Sequence, residues 1–394
     1  MKYSLIIPVY NRPDEVDELL ASLCTQTSHD FDVHIVEDGS DIPCRAVCDR
    51  YRSLEGGSSA VEGSSSAVNT TATLSTSNPS STPSPAAGSV DGGSSAVKFP
   101  LHYYVKENGG PGAARNYGAE RATGDYFIVL DSDVVLPPGY IAAIDEELRT
   151  APADAFGGPD RAHPDFTPVQ KAISYAMTSF FTTGGIRGGK KKLDRFYPRS
   201  FNMGVSRQLW QHLGGFRAMR FGEDIDFSYR ICDASARCRL FPEAWVWHKR
   251  RTDFRKFFRQ VRNSGIARIN LHLLHPGSMK LVHMLPALFT LGCLALFILF
   301  CFGLFLFFFG PDHMNQAFGF ALCELSLLLP LLYALLIFID SSIRNRSLWV
   351  GLLSIPASFI QLLGYGSGFL SAAWKRLVLR QEGEGFDNNE RLYK

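Results

Sequence analysis

The chain predicts an α/β fold: a mostly parallel sheet with helices on both faces, followed by C-terminal apolar helices. Three observations carry this reading. Short apolar runs alternate four times with helix-spaced segments, the pattern of a helix-covered parallel sheet. One of these runs, Gly124–Leu130, stops abruptly on two carboxylates, Asp131 and Asp133. Strand alternation would send both side chains to the same face, at the sheet end where open α/β folds bind ligands. Beyond Leu285, three apolar runs each exceed the roughly 20 residues needed to span a bilayer.

At 394 residues the chain can hold a domain of roughly 250 residues and a second part. A net charge of +2 says little in total, but its distribution is uneven. From Lys249 to Lys280 there are nine Lys/Arg against one acid, Asp253. The eight cysteines contain no Cys-x-x-Cys pair, which argues for reduced thiols and against a zinc site. The apolar run Leu5-Ile6-Ile7 is too short for a signal core and meets Pro8, so the N-terminal part is expected to stay in the cytoplasm.

Tyr3 to Val9 reads as the first buried strand, and Pro8-Val9-Tyr10-Asn11-Arg12-Pro13 as the turn into a helix over Asp14–Leu23. The second strand, Phe31–Val36, ends on Glu37-Asp38-Gly39-Ser40. Asp38 stands where nucleotide-binding sheets hold a ribose or base, although a helix N-cap or Asx turn would use it equally well. A short helix near Pro43–Tyr51 leads to residues 55–97, where Ser, Gly, Thr, Ala and Pro dominate. That composition cannot repay its ordering entropy, so this insert is expected to be disordered. The fold resumes with a strand at Leu101–Lys106. Asn108-Gly109-Gly110-Pro111-Gly112 then opens a helix whose N–H groups, with Arg115, suit an anion.

After Pro137-Pro138 a helix over Gly139–Leu148 enters a loop-rich region. Its basic Gly184–Lys192 stretch is either a lid over phosphates or a solvated loop. Phe201–Val205 is strand-like, Glu223, Asp224 and Asp226 open a further helix, and a last strand ends on Trp247-His248. Asp-x-Asp also occurs at Asp30/Asp32 and Asp224/Asp226, but only Asp131/Asp133 follows a buried strand. Hard oxygen ligands there suit Mg²⁺ or Mn²⁺ shared with a diphosphate.

Residues 253–280 form a basic amphipathic segment suited to an anionic cytoplasmic leaflet. Leu285–Gly310 is uncharged and Ala317–Ile339 carries only Glu324. Leu348–Trp374 is interrupted by Pro356 and rich in Gly and Ser. The basic block before Leu285, with Arg344 and Arg346, puts the N-terminal domain inside. Three full spans would leave Lys375, Arg376 and Arg380 outside, against the positive-inside rule, so the third run is either a span or re-entrant. The expected layout is residues 1–252 as the α/β domain, 253–280 interfacial, 281–374 in the membrane with two to three helices, and 375–394 a polar tail. The location is a plasma (inner) membrane, multi-pass, with no nucleic-acid partner.

Five motifs in this order resemble the family 2 glycosyltransferases of GT-A fold. They are Ile7-Pro8-Val9-Tyr10-Asn11, Val36-Glu37-Asp38-Gly39-Ser40, Gly112-Ala113-Ala114-Arg115-Asn116, Asp131-Ser132-Asp133 and Gly222-Glu223-Asp224. The resemblance covers about residues 2–275, with the 55–97 insert as a departure. It implies a Rossmann-like GT-A domain and an inverting transfer from a nucleotide-sugar. With too few spans for a polymer channel, the expected acceptor is a lipid-linked or surface glycan at the membrane. The resemblance further implies that Pro8, Tyr10, Asn11, Asp38, Arg115, Asn116, Asp131 and Ser132 hold the donor. Asp133 would ligate Mn²⁺ or Mg²⁺, and Asp224 would act as general base with Glu223 beside it. His248 is either a metal or diphosphate contact or a packed histidine. The processive synthases look similar but add Gln-x-x-Arg-Trp, where this chain has Gln260-Val261-Arg262-Asn263. A non-catalytic nucleotide-binding protein and a nucleotidyltransferase are the remaining readings.

Overall fold

The computed structural model describes residues 1–53, 99–161, 163, 165–184, 196–219, 221–249 and 251–381. The insert at 55–97, most of the Gly184–Lys192 loop and the end of the tail therefore lie outside the described residues.

The first half alternates as the sequence predicts. β1 (Tyr3–Val9), α1 (Pro13–Cys24), β2 (Phe31–Asp38), α2 (Arg45–Ser53), β3 (Leu101–Lys106), α3 (Pro111–Arg121) and β4 (Tyr126–Leu130) follow in order. After them come β5 (Val134–Val135), α4 (Tyr140–Thr150), β6 (Ala155–Gly157), β7 (Asp160–Arg161), α5 (Pro168–Thr178) and α6 (Phe180–Thr183). β8 (Asn202–Ser206), α7 (Arg207–Leu213), α8 (Glu223–Asp233), β9 (Cys238–Leu240) and β10 (Val246–His248) complete the α/β body.

Seven strands form the main sheet in the order β3-β2-β1-β4-β8-β6-β9. β1, β2, β3 and β4 pair in parallel, as does β6 with β9, while β8 runs antiparallel between β4 and β6. The sheet is therefore mixed, mostly parallel and covered on both faces. Period-two alternation in β1 explains the two covers. Leu5 and Ile7 face α1 and α4, through Leu19, Leu20, Ile141 and Ile144. Ile6 faces the other way with Phe127, Val129, Met203, Trp210 and Phe227. On that side α3 comes so close that a Cβ on Gly118 would lie 2.8 Å from Ile6.

A small second sheet positions the site. β10 pairs antiparallel with β5 and parallel with β7, with His248 opposite Val134. The Lys249 N–H donates to the Asp133 carbonyl at 3.0 Å, so a late segment is sewn beside the end of β4.

Four long helices follow: α9 (Phe254–Leu274), α10 (Leu281–Phe309), α11 (His313–Asn345) and α12 (Leu348–Ala373). Asp253 caps α9 by accepting from the Lys256 N–H at 2.7 Å. α10, α11 and the helix from Leu348 to Val378 are each long and apolar enough to cross a membrane. Pro356 does not break the third run, because α12 continues through it.

Candidate active site

The ends of β1, β2 and β4, the start of α3 and the segment after β10 enclose a cleft of about 360 Å³. Pro8, Val9, Tyr10, Arg12, Asp38 and Asn108 line it on one side. Gly110, Pro111, Arg115, Asp131, Ser132, Asp133 and Arg251 complete the lining.

Strand β4 stops at Leu130, so the two aspartates stand in the turn to β5 rather than on the strand. The turn, not strand alternation, makes them converge. Asp131, Asp133 and His248 bring ligand atoms within 4.8 Å of one another. Two carboxylates and an imidazole are the donor set of a hard or borderline divalent cation, so these residues fit Mn²⁺ or Mg²⁺. Asp133 is nearly buried and lies among cations: Arg12 Nη1 at 2.6 Å, His248 Nε2 at 3.2 Å and Arg251 Nη1 at 3.7 Å. Burial alone would raise its pKa, but His248, Arg12 and Arg251 outweigh that and hold the carboxyl well below the usual range. The His248 ring stacks on Phe201 with centroids 5.0 Å apart, which fixes its edge toward Asp133.

Arg115 sits in the first turns of α3 and is fully enclosed. Its guanidinium donates to Asp131 and to Glu223, each at 2.9 Å, and lies over the Phe216 ring. That planar fork joins the β4 turn to the start of α8. Gly222 caps α8 at φ +86°, a left-handed conformation that suits glycine, and the next two residues are the acids. Burial pushes the Glu223 carboxyl up to about 6, although Arg115 pulls the other way. Asp224 pairs instead with Arg199 Nε at 3.0 Å.

Asp38 reaches the cleft but its oxygens are engaged. They accept from the Gly109 and Gly110 N–H groups at 2.9 and 2.8 Å and from Lys106 at 2.7 Å. The glycine turn is thus held by β2. Asn11 and Asn116 are absent from the cleft lining. The Asn11 amide oxygen accepts from the Ile42 N–H at 2.9 Å. The Asn116 amide holds the Phe216 backbone through bonds of 2.8 and 2.9 Å. Pro8, Tyr10, Asp38, Arg115, Asp131, Ser132 and Asp133 do share one cleft. Arg12, Arg251, Lys106 and Arg199 escaped the sequence reading. Arg12 adjoins the first motif and Arg251 follows His248 by three residues, which was the available signal.

The Asp-x-Asp pairs now separate. Asp32 lies at the opposite end of β2, buried against Lys2 and His34 at 2.9 and 3.0 Å. Asp226 is fully buried among Arg217, Arg230 and His275, at 2.8–2.9 Å.

Comparison with known proteins agrees with this geometry. The family described as glycosyl transferase family 2 matches residues 4–65 and 91–214. An uncharacterised glycosyltransferase of Rickettsia conorii is 29% identical over 135 residues, covering 34% of this chain and 15% of that protein. A probable glycosyltransferase of Sulfolobus acidocaldarius is 25% identical over 144 residues, covering 34% of this chain and 31% of that protein. The chain therefore spans well under half the length of these curated relatives. Among solved structures, a mannosyltransferase of Pyrobaculum calidifontis, in complex with GDP-Man and Mn²⁺, superposes with a TM-score of 0.50. It is 14% identical, with 96% of this chain and 88% of that one covered, a likeness of fold. Motif order, sheet topology and the matched family agree, and the α/β part of this chain belongs to glycosyl transferase family 2.

Proposed function

We propose that the chain transfers a sugar, with inversion, from a nucleotide-sugar to a lipid-linked or surface-glycan acceptor at the cytoplasmic face of a membrane. The observation that carries this is the cleft itself. Asp131 and Asp133 face Arg12, Arg115 and Arg251 in it, and Arg115 ties Asp131 to the Glu223-Asp224 pair.

The base and ribose would lie between Pro8, Tyr10 and the Asp38 turn, and the diphosphate near Arg12, Arg115 and Arg251. Asp133 and His248 would hold Mn²⁺ or Mg²⁺, which supplies positive charge against the diphosphate. Asp131 and Ser132 would orient the sugar. Asp224, held by Arg199, would take the acceptor hydroxyl's proton as its oxygen bonds the anomeric carbon. The bond from that carbon to the diphosphate oxygen breaks on the opposite face, so the configuration inverts. The arginines stabilise the charge that collects on the leaving diphosphate.

The test is nucleotide release by detergent-purified protein across UDP- and GDP-sugars with Mn²⁺, with and without membrane-lipid extract. GDP-Man heads the panel because the Pyrobaculum mannosyltransferase was solved with it. Release of a nucleoside diphosphate from one donor, increased by extract, is expected. Pyrophosphate release would favour a nucleotidyltransferase, and long products from one donor a processive synthase. Absence of nucleotide binding would favour the non-catalytic reading.

A further inference from the structure

We propose that α12 does not cross the membrane: it lies in the plane of the leaflet, between the α/β body and the foot of an α10–α11 hairpin. Residues 375–381 then stand on the same side as Asp131. This rests on the reading that α10 and α11 span a bilayer. Composition and length alone admit α12 as a third span. Its contacts place both of its ends at one level.

The start of α12 meets the closing turns of α11. Ser354 Oγ lies 2.7 Å from Ser341 Oγ, and a Cβ on Gly351 would run into Ser342. The second half of α12 meets the opening turns of α10. A Cβ on Gly366 would lie 2.3 Å from the Pro286 carbonyl, and Phe369 and Ala372 cluster with Ala287 and Met279. α10 leaves the α/β body and α11 returns to it, so these turns form the near end of the hairpin. A spanning helix would be at the far end of its neighbours by its last turns. Beyond this foot α10 and α11 pack on each other, as at Gly303 and Gly319, and only 6% and 11% of their apolar windows are buried, against 39% in the third.

The opposite side of α12 is covered by the α/β body. Val350 and Ala357 cluster with Ala172, Ile173 and Ala176 of α5 and with Phe257 and Val261 of α9. α9 then runs beside α12 in the same direction for several turns. Gly364 packs on Val261, Gly368 on the Arg262 carbonyl, and Gly265 on the Tyr365 carbonyl. These glycines permit backbone contact that any side chain would prevent. α9 carries Arg255, Lys256, Arg259, Arg262 and Arg268, so hydrocarbon is closed to it. It is also fixed to α8, through His275 on Asp226 and Ala267 against Gly222. A helix laid along α9 shares its depth.

Both ends of α12 also carry the marks of one interface. Trp349 and Trp374 are each 59% exposed, Arg344 and Arg346 precede the helix, and Lys375, Arg376 and Arg380 follow it. Cations at both ends suit the same anionic leaflet.

Epitope tags at the N-terminus, between Pro311 and Asp312, and at the C-terminus test the proposal in sealed vesicles of one orientation. Protease should remove the two terminal tags together and the loop tag only from the other face. Removal of the C-terminal tag with the loop tag would overturn the proposal and leave the spanning hairpin intact. Loss of all three tags from one face would show that the hairpin does not cross, which overturns the membrane reading and the proposal with it. Trp349→Cys and Trp374→Cys add a direct measure against the parent chain. Both should gain labelling by an impermeant maleimide from the same face, and gain from opposite faces would overturn the proposal. Retained nucleotide binding in each variant shows that it folds.

Discussion

The turn after β4 and the first turn of α8 carry the same three-residue pattern, Asp-x-Asp, and use it in opposite ways. After β4, Asp131 and Asp133 converge on one cleft with His248. At α8, residues two apart sit about 200° apart around the helix. Asp224 is left near the surface with Arg199, while Asp226 is driven into the interior. There Arg217, Arg230 and His275 neutralise it. Local backbone geometry, a turn in one case and a helix in the other, decides whether a pair of carboxylates converges on one cleft or divides between the surface and the interior.

The comparison is broken most severely at Asp224. As the proposed general base it would contribute about a thousandfold to turnover. Asp224→Asn should lose that factor in kcat while donor affinity, measured by calorimetry, stays within error of the parent. Near-normal turnover would remove Asp224 from the chemistry and leave both acids of the pair structural.

Much of this was legible in the sequence because it is local. The β1–α3 order, Asp131 and Asp133, and Arg115 one turn into its helix all follow from runs and spacings. Non-local pairing was not legible. β5 and β10 are two and three residues long, and nothing in Val134-Val135 announces that Trp247-His248 will pair with it. Without that pairing, His248 could be read as a ligand or as packing. The antiparallel β8 in mid-sheet has no local signature either. The partners of Asn11 and Asn116 were not legible for a different reason. Each asparagine closes a motif, and a sequence does not say that its amide bonds the backbone of a distant residue, Ile42 for Asn11 and Phe216 for Asn116.

The anchor half of the α8 pair should respond in stability. Asp226→Asn leaves the Arg230 guanidinium and its neighbours without their buried counter-charge, a loss of about 3 kcal/mol. Thermal unfolding in detergent should show a lower midpoint for Asp226→Asn than for Asp224→Asn. Equal midpoints would mean that the buried network is not what fixes α8 to α9.

Asp133→Ala tests the other member of the comparison. Donor affinity in Mn²⁺ should fall about tenfold to a hundredfold, toward the value that the parent shows with chelator present. The midpoint of unfolding should move little, since Arg12 and Arg251 can face solvent in the open cleft. An unchanged response to metal would exclude Asp133 from the cation site.

The smallest effect is expected at Glu223, which lies between the two regions and titrates within the working range. Its folded value of about 6 lies above the ordinary 4.5, because burial disfavours the charge more than Arg115 favours it. The linkage sign follows: this group's stabilising contribution is present below the ordinary value and is lost as pH rises through about 6. Activity should move the other way. Below about 6 the neutral acid no longer holds Arg115 by charge, so kcat/KM should fall on the acid side. Glu223→Gln should flatten both limbs at once, leaving a pH profile governed by the remaining groups. An acid limb that persists unchanged in Glu223→Gln would assign it elsewhere and reduce Glu223 to a packing partner of Arg115.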